Sequence, residues 1–512
     1  MARIPLLLAD ALREVESLAS GWSPALMTRA GEASARLAGL LAAGRGGPVV
    51  VAVGPGNNGG DGWVAAAALA RLRRVVVVDV FGTEPKAAEA IDARDALRAR
   101  GYEIRRDVPV AEAALVIDAL LGIGLTRDVD GALAIAIAAI NDCHSPVLSL
   151  DVPSGLDAMT GVVRGSCVRA THTLTFIADK PGLHTNAGPD HAGRVHVDNL
   201  GAGDLVRERA LGCLLRLGDV RMPARAGNAH KGTFGTLGIV GGNAGMVGAA
   251  LLAGRAALFA GAGKVRVALL DAVIPVDPVH PELMLSSLDE TLRADVVLVG
   301  PGGGAAPEGI LAREVLSRAI DLAVPLVLDA DALNVLARDA SLRDRLARRT
   351  APTVVTPHPA EAARLLGSDT SRGSDSSRRQ VPDPIPFSRR QVSDPIPVQA
   401  DRVAAALALA RLLRASVVLK GAGSVCAFSD GRWSINTTGN PGLASAGTGD
   451  VLAGVVGALL AQRLAPGDAL ELAVCVHGAA ADALVARGIG PAGLTASEVA
   501  CEIRAVLGRA AL

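Results

Sequence analysis

The chain has 512 residues, half of them hydrophobic and only 2% aromatic, with a mean hydropathy of +0.37. That length calls for two or more domains, each with material for its own core of Ala, Val and Leu. Lys plus Arg equals Asp plus Glu at 51 each, a balance that argues against a nucleic-acid or anionic-membrane partner.

The opening run MARIPLLLADALREVE meets Asp10 and Glu14 too early for a secretory leader. No stretch approaches about 18 apolar residues without a charge, so no membrane-spanning helix is expected. The cysteines, at 143, 167, 213, 426, 475 and 501, form no C-x-x-C pair. Neither a zinc site nor a disulfide framework is indicated, and a reducing cytoplasm is the expected setting.

From residue 48 onward, short β-branched runs alternate with Ala-rich segments. PVVVAVG (48–54), VVVVDVF (75–81), AALVIDALLG (113–122) and VLSLDVPSG (147–155) read as strands. Continuous Val/Ile/Leu runs mark parallel strands covered by helices on both faces. The intervening WVAAAALARL (63–72) and GALAIAIAAI (131–140) supply those helices. THTLTFIA (171–178) and GRVHVDNLG (193–201) finish a Rossmann-like, three-layer αβα domain expected over 1–215.

A second α/β domain is expected over 216–512. Its strands are TLGIVGG (236–242), KVRVALL (264–270), DVVLVGPG (295–302), PLVLDADAL (325–333), TVVTPHP (353–359) and SVVLKGAG (416–423). Residues 368–400 break the pattern with a tandem near-repeat, SRRQVPDPIPF and SRRQVSDPIPV. Its prolines block helix and sheet pairing, so a solvated, disordered insertion is expected there.

GPGNNGGDG (54–62) follows a strand and opens a helix, and its first six residues satisfy G-x-G-x-x-G. Asp79 closes the next strand, where a ribose-binding acid is expected. Spacing alone fits an NAD-dependent dehydrogenase. A pyrophosphate loop, however, needs bare backbone, whereas Asn57, Asn58 and Asp61 suit a cation or the hydroxyls and amide of a ligand. Asp118 and Asp151, the latter followed by Ser154, also stand at strand ends, and ligands of open α/β sheets bind beyond the carboxyl ends of strands. Any one Asp is more often a cap or turn former. Three strand ends converging make a site the better reading.

In the second half GTGD (447–450) runs into VLAGVVGALLA, a glycine loop at a helix N-terminus whose free N–H groups can hold phosphate. Asp450 stands beside it, placed to take a hydroxyl proton. No G-x-x-x-x-G-K-[ST] occurs, so this is not a P-loop.

GPGNNGGDG, IDALLGIGL, DVPSGLDAMTG and KPGLHTNAG (180–188) resemble the YjeF N-terminal family of NAD(P)H-hydrate epimerases over most of 1–215. The resemblance implies a potassium ion held by Asn58, Asp118 and Ser154. It implies a hydrate bound by Asn57, Asn58, Gly59, Gly60 and Asp61, by Gly122, Ile123, Gly124, Leu125, Thr126, Arg127 and Asp128, and by Asp151, the candidate acid/base. NAHKGTFG (228–235), GPGGG (300–304), DADALN (329–334), TPHPAEAARLL (356–366), VLKGAGSV (418–425) and GNPGLASAGTGDVLAG (439–454) resemble the ribokinase-like NAD(P)H-hydrate dehydratases over roughly 225–510. There the implied nucleotide contacts are Lys420, Gly421, Ala422, Gly423, Ser424 and Gly449, and the implied hydrate contacts are Gly303, His358 and Asp450, the last as catalytic base.

The expected activity is repair of hydrated NADH and NADPH (NADHX and NADPHX). The first domain would epimerise the hydrates at C6, and the second would dehydrate one epimer with ADP as phosphoryl donor and Mg2+ bridging the phosphates. A cytoplasmic homo-oligomer is expected. The alternative is a ribokinase-like kinase for a vitamin precursor fused to a dinucleotide-binding module.

Overall fold

A computed structural model describes residues 3–510, apart from 83, 109–112, 221, 223–224, 272–273, 305–312 and 368–396. The repeat insertion thus lies almost wholly outside the described residues. The chain divides into two compact units, one spanning Ile4–Gly212 and the other taking Cys213 onward together with Arg3.

The N-terminal unit carries a wholly parallel sheet, ordered Glu103–Arg105, Val75–Asp79, Val49–Val53, Leu115–Ala119, Val147–Leu150, His172–Phe176, Arg194–Asp198. Every residue of Val49–Val53, Val75–Asp79 and Leu115–Ala119 is buried, as continuous apolar runs require when helices cover both faces. One face packs Val49, Val51, Val53 and Ile117 with Trp63 and Ala66; the other packs Val50, Ala52 and Val116 with Ile137 and Ile140. The chain order reverses between Val49–Val53 and Leu115–Ala119. That crevice is where an open sheet binds its ligand.

The C-terminal unit repeats the plan at larger scale. Met284–Leu285, Lys264–Leu269, Thr236–Gly241, Val296–Val299, Leu326–Leu328, Thr353–Val355 and Ser416–Leu419 are parallel neighbours in that order. An antiparallel pair, Val425–Ala427 and Trp433–Asn436, extends the sheet. The reversal falls between Thr236–Gly241 and Val296–Val299, whose C-terminal end opens into GPGGG.

Helices Val247–Phe259 and Thr448–Ala461 cross at glycine: a Cβ on Gly454 would lie 2.1 Å from the Ala253 carbonyl oxygen. Small residues are therefore what let the GTGD helix seat on the sheet. Among the described helices, Pro466–Ala486 is long and apolar enough to cross a membrane, yet 72% of its apolar window is buried within this unit. The sequence reading expected no such stretch, because Asp468, Glu471 and Asp482 interrupt it. The helix owes its apolar character to service as a core element.

Gly454→Ala is expected to lower the stability of the C-terminal unit by about 1–3 kcal/mol, since backbone rather than a movable side chain blocks the methyl group. Urea unfolding of the full chain measures it, and an unchanged C-terminal transition would contradict this packing.

Candidate active sites

The N-terminal site begins with Asp118. In register it lies beside Ala52 on one strand and Ser149 on the other, fully buried. Its carboxylate accepts from Ser149 Oγ (2.7 Å), Ser154 N (2.9 Å), Ser154 Oγ (2.5 Å) and Leu120 N (3.3 Å). Burial raises its pKa, and the Ser154 and Ser149 hydrogen bonds pull the other way. Asn58, in the first turn of helix Asn57–Leu69, donates from Nδ2 to the carbonyls of Leu121 (2.8 Å) and Leu150 (3.1 Å). Its Oδ1 is buried with no hydrogen-bond partner. Such an orphaned oxygen costs about 1–3 kcal/mol unless something meets it.

Asp151 follows the strand Val147–Leu150 in a left-handed conformation, φ 64°, which an aspartate adopts only under constraint. Its N–H donates to Leu174 O (2.7 Å), and its Oδ2 accepts from Ile123 N (3.3 Å). Its Oδ1 lies 2.8 Å from Lys180 Nζ. Lys180, 1% exposed, also donates to Thr175 Oγ1 (2.6 Å) and to the carbonyls of Phe176 (3.1 Å) and Ala178 (3.3 Å). Gly122 fits between the Asn58 and Asp151 side chains: a Cβ there would stand 3.2 Å from both Asn58 Cβ and Asp151 Oδ2. Nearby, burial first, then the charges of Asp151 and Glu16, hold the Asp61 carboxyl well above the usual carboxylate range.

Asn58, Asp118, Gly122, Ile123, Asp151 and Ser154 thus come together around the Leu121 and Leu150 carbonyls. Gly59 and Gly60 serve packing, facing the Gly54 backbone and Met27. Asn57 is exposed, one helical step away from Asn58, and lines a separate cleft of about 160 Å³ with Met27, Pro55 and Lys86. Gly124, Thr126, Arg127 and Asp128 are exposed loop residues, while Leu125 packs against the core. Lys180 is the residue that sequence reading missed. Its signal was a lysine five residues after the buried Thr175, inside a motif already singled out.

The C-terminal site centres on a second cation, this one partly buried. Lys420 Nζ lies 2.9 Å from Asp329 Oδ1, and Asp329, 1% exposed, also accepts from Thr356 Oγ1 (2.7 Å). A Cβ on Gly449 would stand 3.2 Å from that ammonium, so the GTGD loop touches it directly. Burial would lower the Lys420 pKa, but Asp329, Glu361 and Asp450 outweigh it and the pKa is raised. Burial pushes Asp450 up to about 7, with Asp329 and Asp331 adding to the rise and Lys420 opposing it. Glu361 likewise stands at about 7 through burial, against Lys420.

His358 ends the TPHP turn as the N-cap of helix Pro359–Leu366. Its Nδ1 accepts from Ala360 N (3.1 Å) and Glu361 N (3.4 Å), which leaves the proton on Nε2, 3.2 Å from Glu361 Oε1. The KGAGS turn closes on itself: Ser424 Oγ accepts from Gly421 N (3.2 Å) and donates to Gly421 O (3.0 Å). Gly421 has φ 145° and leaves no room for a Cβ against the Arg402 guanidinium, 2.7 Å away. Ala422 and Gly423 form the rest of that turn. Gly303 is buried and donates its N–H to Gly300 O (2.9 Å), while Gly304 N donates to Asp331 Oδ2 (2.9 Å). Asp450, Gly449, Lys420 and His358 therefore border one carboxylate-rich site. Sequence reading did not single out Asp329 or Glu361.

Residues 237–505 match the family model described as NAD(P)H-hydrate dehydratase, and residues 23–182 match the YjeF-related protein N-terminus. The bifunctional NAD(P)H-hydrate repair enzyme Nnr of Escherichia coli (strain K12) is 38% identical over 469 residues, covering 88% of this chain and 83% of that one. The enzyme of the same name from Coxiella burnetii is 36% identical over 519 residues, covering 97% and 98%. Among solved structures, the ADP/ATP-dependent NAD(P)H-hydrate dehydratase of Bacillus subtilis, co-crystallised with ATP/Mg2+, is 30% identical, covers 57% of this chain and 95% of its own, and has a TM-score of 0.45.

Asp450, expected from the sequence to be the base, is protonated below about pH 7. For the C-terminal site, kcat/KM is expected to climb about tenfold per pH unit up to about pH 7 and then level off, because that ratio reports the free enzyme's base. A flat profile between about pH 5 and about pH 8 would remove Asp450 from that role.

Proposed function

Because the chain belongs to the bifunctional NAD(P)H-hydrate repair enzymes, we propose that Asp151, braced by Lys180, is the acid/base of its epimerase site and Asp450 the base of its dehydratase site. The chain repairs hydrated NAD(P)H with an epimerase and a dehydratase in one polypeptide. The observation that carries the residue assignment is the pair of close lysine–carboxylate contacts, Lys180 with Asp151 and Lys420 with Asp329, each at the C-terminal edge of a parallel sheet.

The hydrate bears its hydroxyl on C6, a hemiaminal carbon. Asp151 takes the hydroxyl proton as the bond from C6 to the ring nitrogen breaks, and the electron pair goes to nitrogen. Closure on the other face, with the proton returned, inverts C6. Lys180 acts as a positioning residue. It fixes Asp151 Oδ1, leaving Oδ2 and the Ile123 N–H facing the Gly122 loop.

The donor set fits a hard monovalent cation: Asn58 Oδ1 is an unpartnered buried oxygen, with the Asp118 and Ser154 oxygens on neighbouring strand ends. Potassium bound there would tie the Asn58 helix to the Gly122 loop and supply positive potential beside the hydrate.

In the C-terminal site Asp450 removes the proton of the same hydroxyl while a phosphoryl group passes to it from ADP. The GTGD backbone amides face the transferring oxygens. Loss of phosphate from C6 and a proton from C5 restores the dihydronicotinamide. Mg2+ would suit the carboxylates of Asp329, Asp331 and Glu361, the first two of which add to the burial that raises Asp450, and would supply charge neutralisation between phosphates. The setting we propose is a cytoplasmic homo-oligomer, with neither nucleic acid nor membrane as partner.

Asp151→Asn is expected to lower hydrate epimerisation by about 100- to 10,000-fold while dehydration of the usable epimer continues. Asp450→Asn should do the reverse. Following both reactions by proton NMR of the two epimers checks the pair, and a variant that loses both or neither activity would overturn the assignment. Asn58→Leu should abolish any stimulation of epimerisation by potassium over sodium. If that stimulation persists undiminished, the cation sits elsewhere.

A further inference from the structure

Helix Arg402–Leu413 leads through Arg414, at φ 47°, into strand Ser416–Leu419. The helix runs back along the strand, so its first residue stands at the strand's C-terminal end, where the KGAGS turn begins. That residue, Arg402, is 3% exposed. Its Nη2 donates to the carbonyls of Leu419 and Lys420, both at 3.2 Å, and its Nη1 donates to Gln399 Oε1 (3.0 Å). One guanidinium nitrogen thus bridges the two peptides that precede Gly421. The turn is shaped around it: Gly421 is at φ 145°, and a Cβ there would lie 2.7 Å from Arg402 Nη2 and 2.8 Å from Nη1.

Local energetics do not favour an arginine at this position. A cation in the first turn opposes the helix dipole. The cap is supplied by Asp401, whose Oδ1 accepts from Ala404 N (2.9 Å). Burial penalises the guanidinium and lowers its pKa to about 10, which still leaves it charged at neutral pH. What the charge secures is the entry to the turn. The exit is held separately, because Asn436 N donates to Ser424 O (2.9 Å), and Ser424 Oγ closes the loop onto Gly421. Gly421 and Ala422 are therefore presented to solvent from a base fixed at both ends.

We propose that Arg402 is a positioning residue of the nucleotide site: from beneath the KGAGS turn its Nη2 fixes the Leu419 and Lys420 carbonyls, and through them the direction in which the Gly421–Ser424 backbone faces the adenine nucleotide. The inference rests on the reading of that turn as the nucleotide contact. The side chain acts through the turn and does not touch ADP. Lys420 keeps ties of its own, from N to Pro357 O (2.9 Å) and from Nζ to Asp329 Oδ1 (2.9 Å). Gly449 and Asp450 belong to another element, helix Thr448–Ala461. The signature is weaker ADP binding rather than slower transfer once ADP is bound.

The test uses the full chain with Arg402→Met, Arg402→Lys and Arg402→Gln. The Kd of ADP with Mg2+ is measured by calorimetry, beside kcat for dehydration, melting temperature and epimerisation as an internal control. Hydrogen exchange of the 420–424 amides is followed with and without ADP. Arg402→Met leaves two carbonyls without their donor, and should raise the Kd of ADP by about 10- to 100-fold while kcat at saturating ADP stays within about threefold of the parent. The same variant should exchange its 420–424 amides faster. The Arg402→Lys ammonium can reach the same carbonyls and should recover most of the affinity, whereas the shorter Arg402→Gln should not. All three should epimerise at the parental rate. Parental Kd in Arg402→Met, or Arg402→Lys binding ADP no better than Arg402→Gln, overturns the proposal. Should Arg402→Met melt well below the parent, the contrast between Lys and Gln decides alone. If ADP binds the parent without protecting the 420–424 amides, the underlying reading of the turn fails. If ADP protects them and Arg402→Met binds it as the parent does, only the positioning role fails.

Discussion

An ammonium buried beside a carboxylate at the end of a parallel strand is the contact on which each site depends. Removing either charge from water costs several kcal/mol, and only close pairing with further hydrogen bonds offsets it. Lys180 meets this condition through Asp151, Thr175 and two backbone carbonyls. Lys420 meets it through Asp329, with Glu361 and Asp450 close enough to raise its pKa further. In a chain whose cations are nearly all arginine, these two lysines are placed where a compact charge is needed and a guanidinium fork would not fit.

The two pairs shape their surroundings differently. Lys180 faces an aspartate whose backbone is held at φ 64°, so that carboxylate is fixed by conformation as well as by charge. Lys420 sits among several carboxylates, and burial raises the pKa of Asp450 and Glu361 to about 7, with Asp329 adding to both and Lys420 opposing. The first arrangement suits proton traffic on a bound hemiaminal. The second suits a base that must give way to phosphate oxygens and their cation.

Much of this was legible in the sequence because glycine loops and strand ends are local signals. The runs at 48–54, 113–122 and 147–155 became buried parallel strands, and Asn58, Asp118 and Ser154 converged as the three strand ends suggested. Partners far apart along the chain were not legible. Lys420 and Asp329 are 91 residues apart and meet only because Leu326–Leu328 and Ser416–Leu419 flank the same strand. Asn57 and Asn58 look alike in sequence, but one helical step of about 100° leaves the first in solvent and buries the second.

The central claim is that one chain holds both activities and that the dehydratase consumes the epimer that the epimerase supplies. The direct measurement is recovery of dihydronicotinamide absorbance from a mixture of both hydrate epimers, incubated with the purified full chain, ADP, Mg2+ and potassium. Complete recovery, in a single course faster than spontaneous epimerisation allows, is the predicted result. A halt once one epimer is consumed, with the other left unchanged, would contradict it.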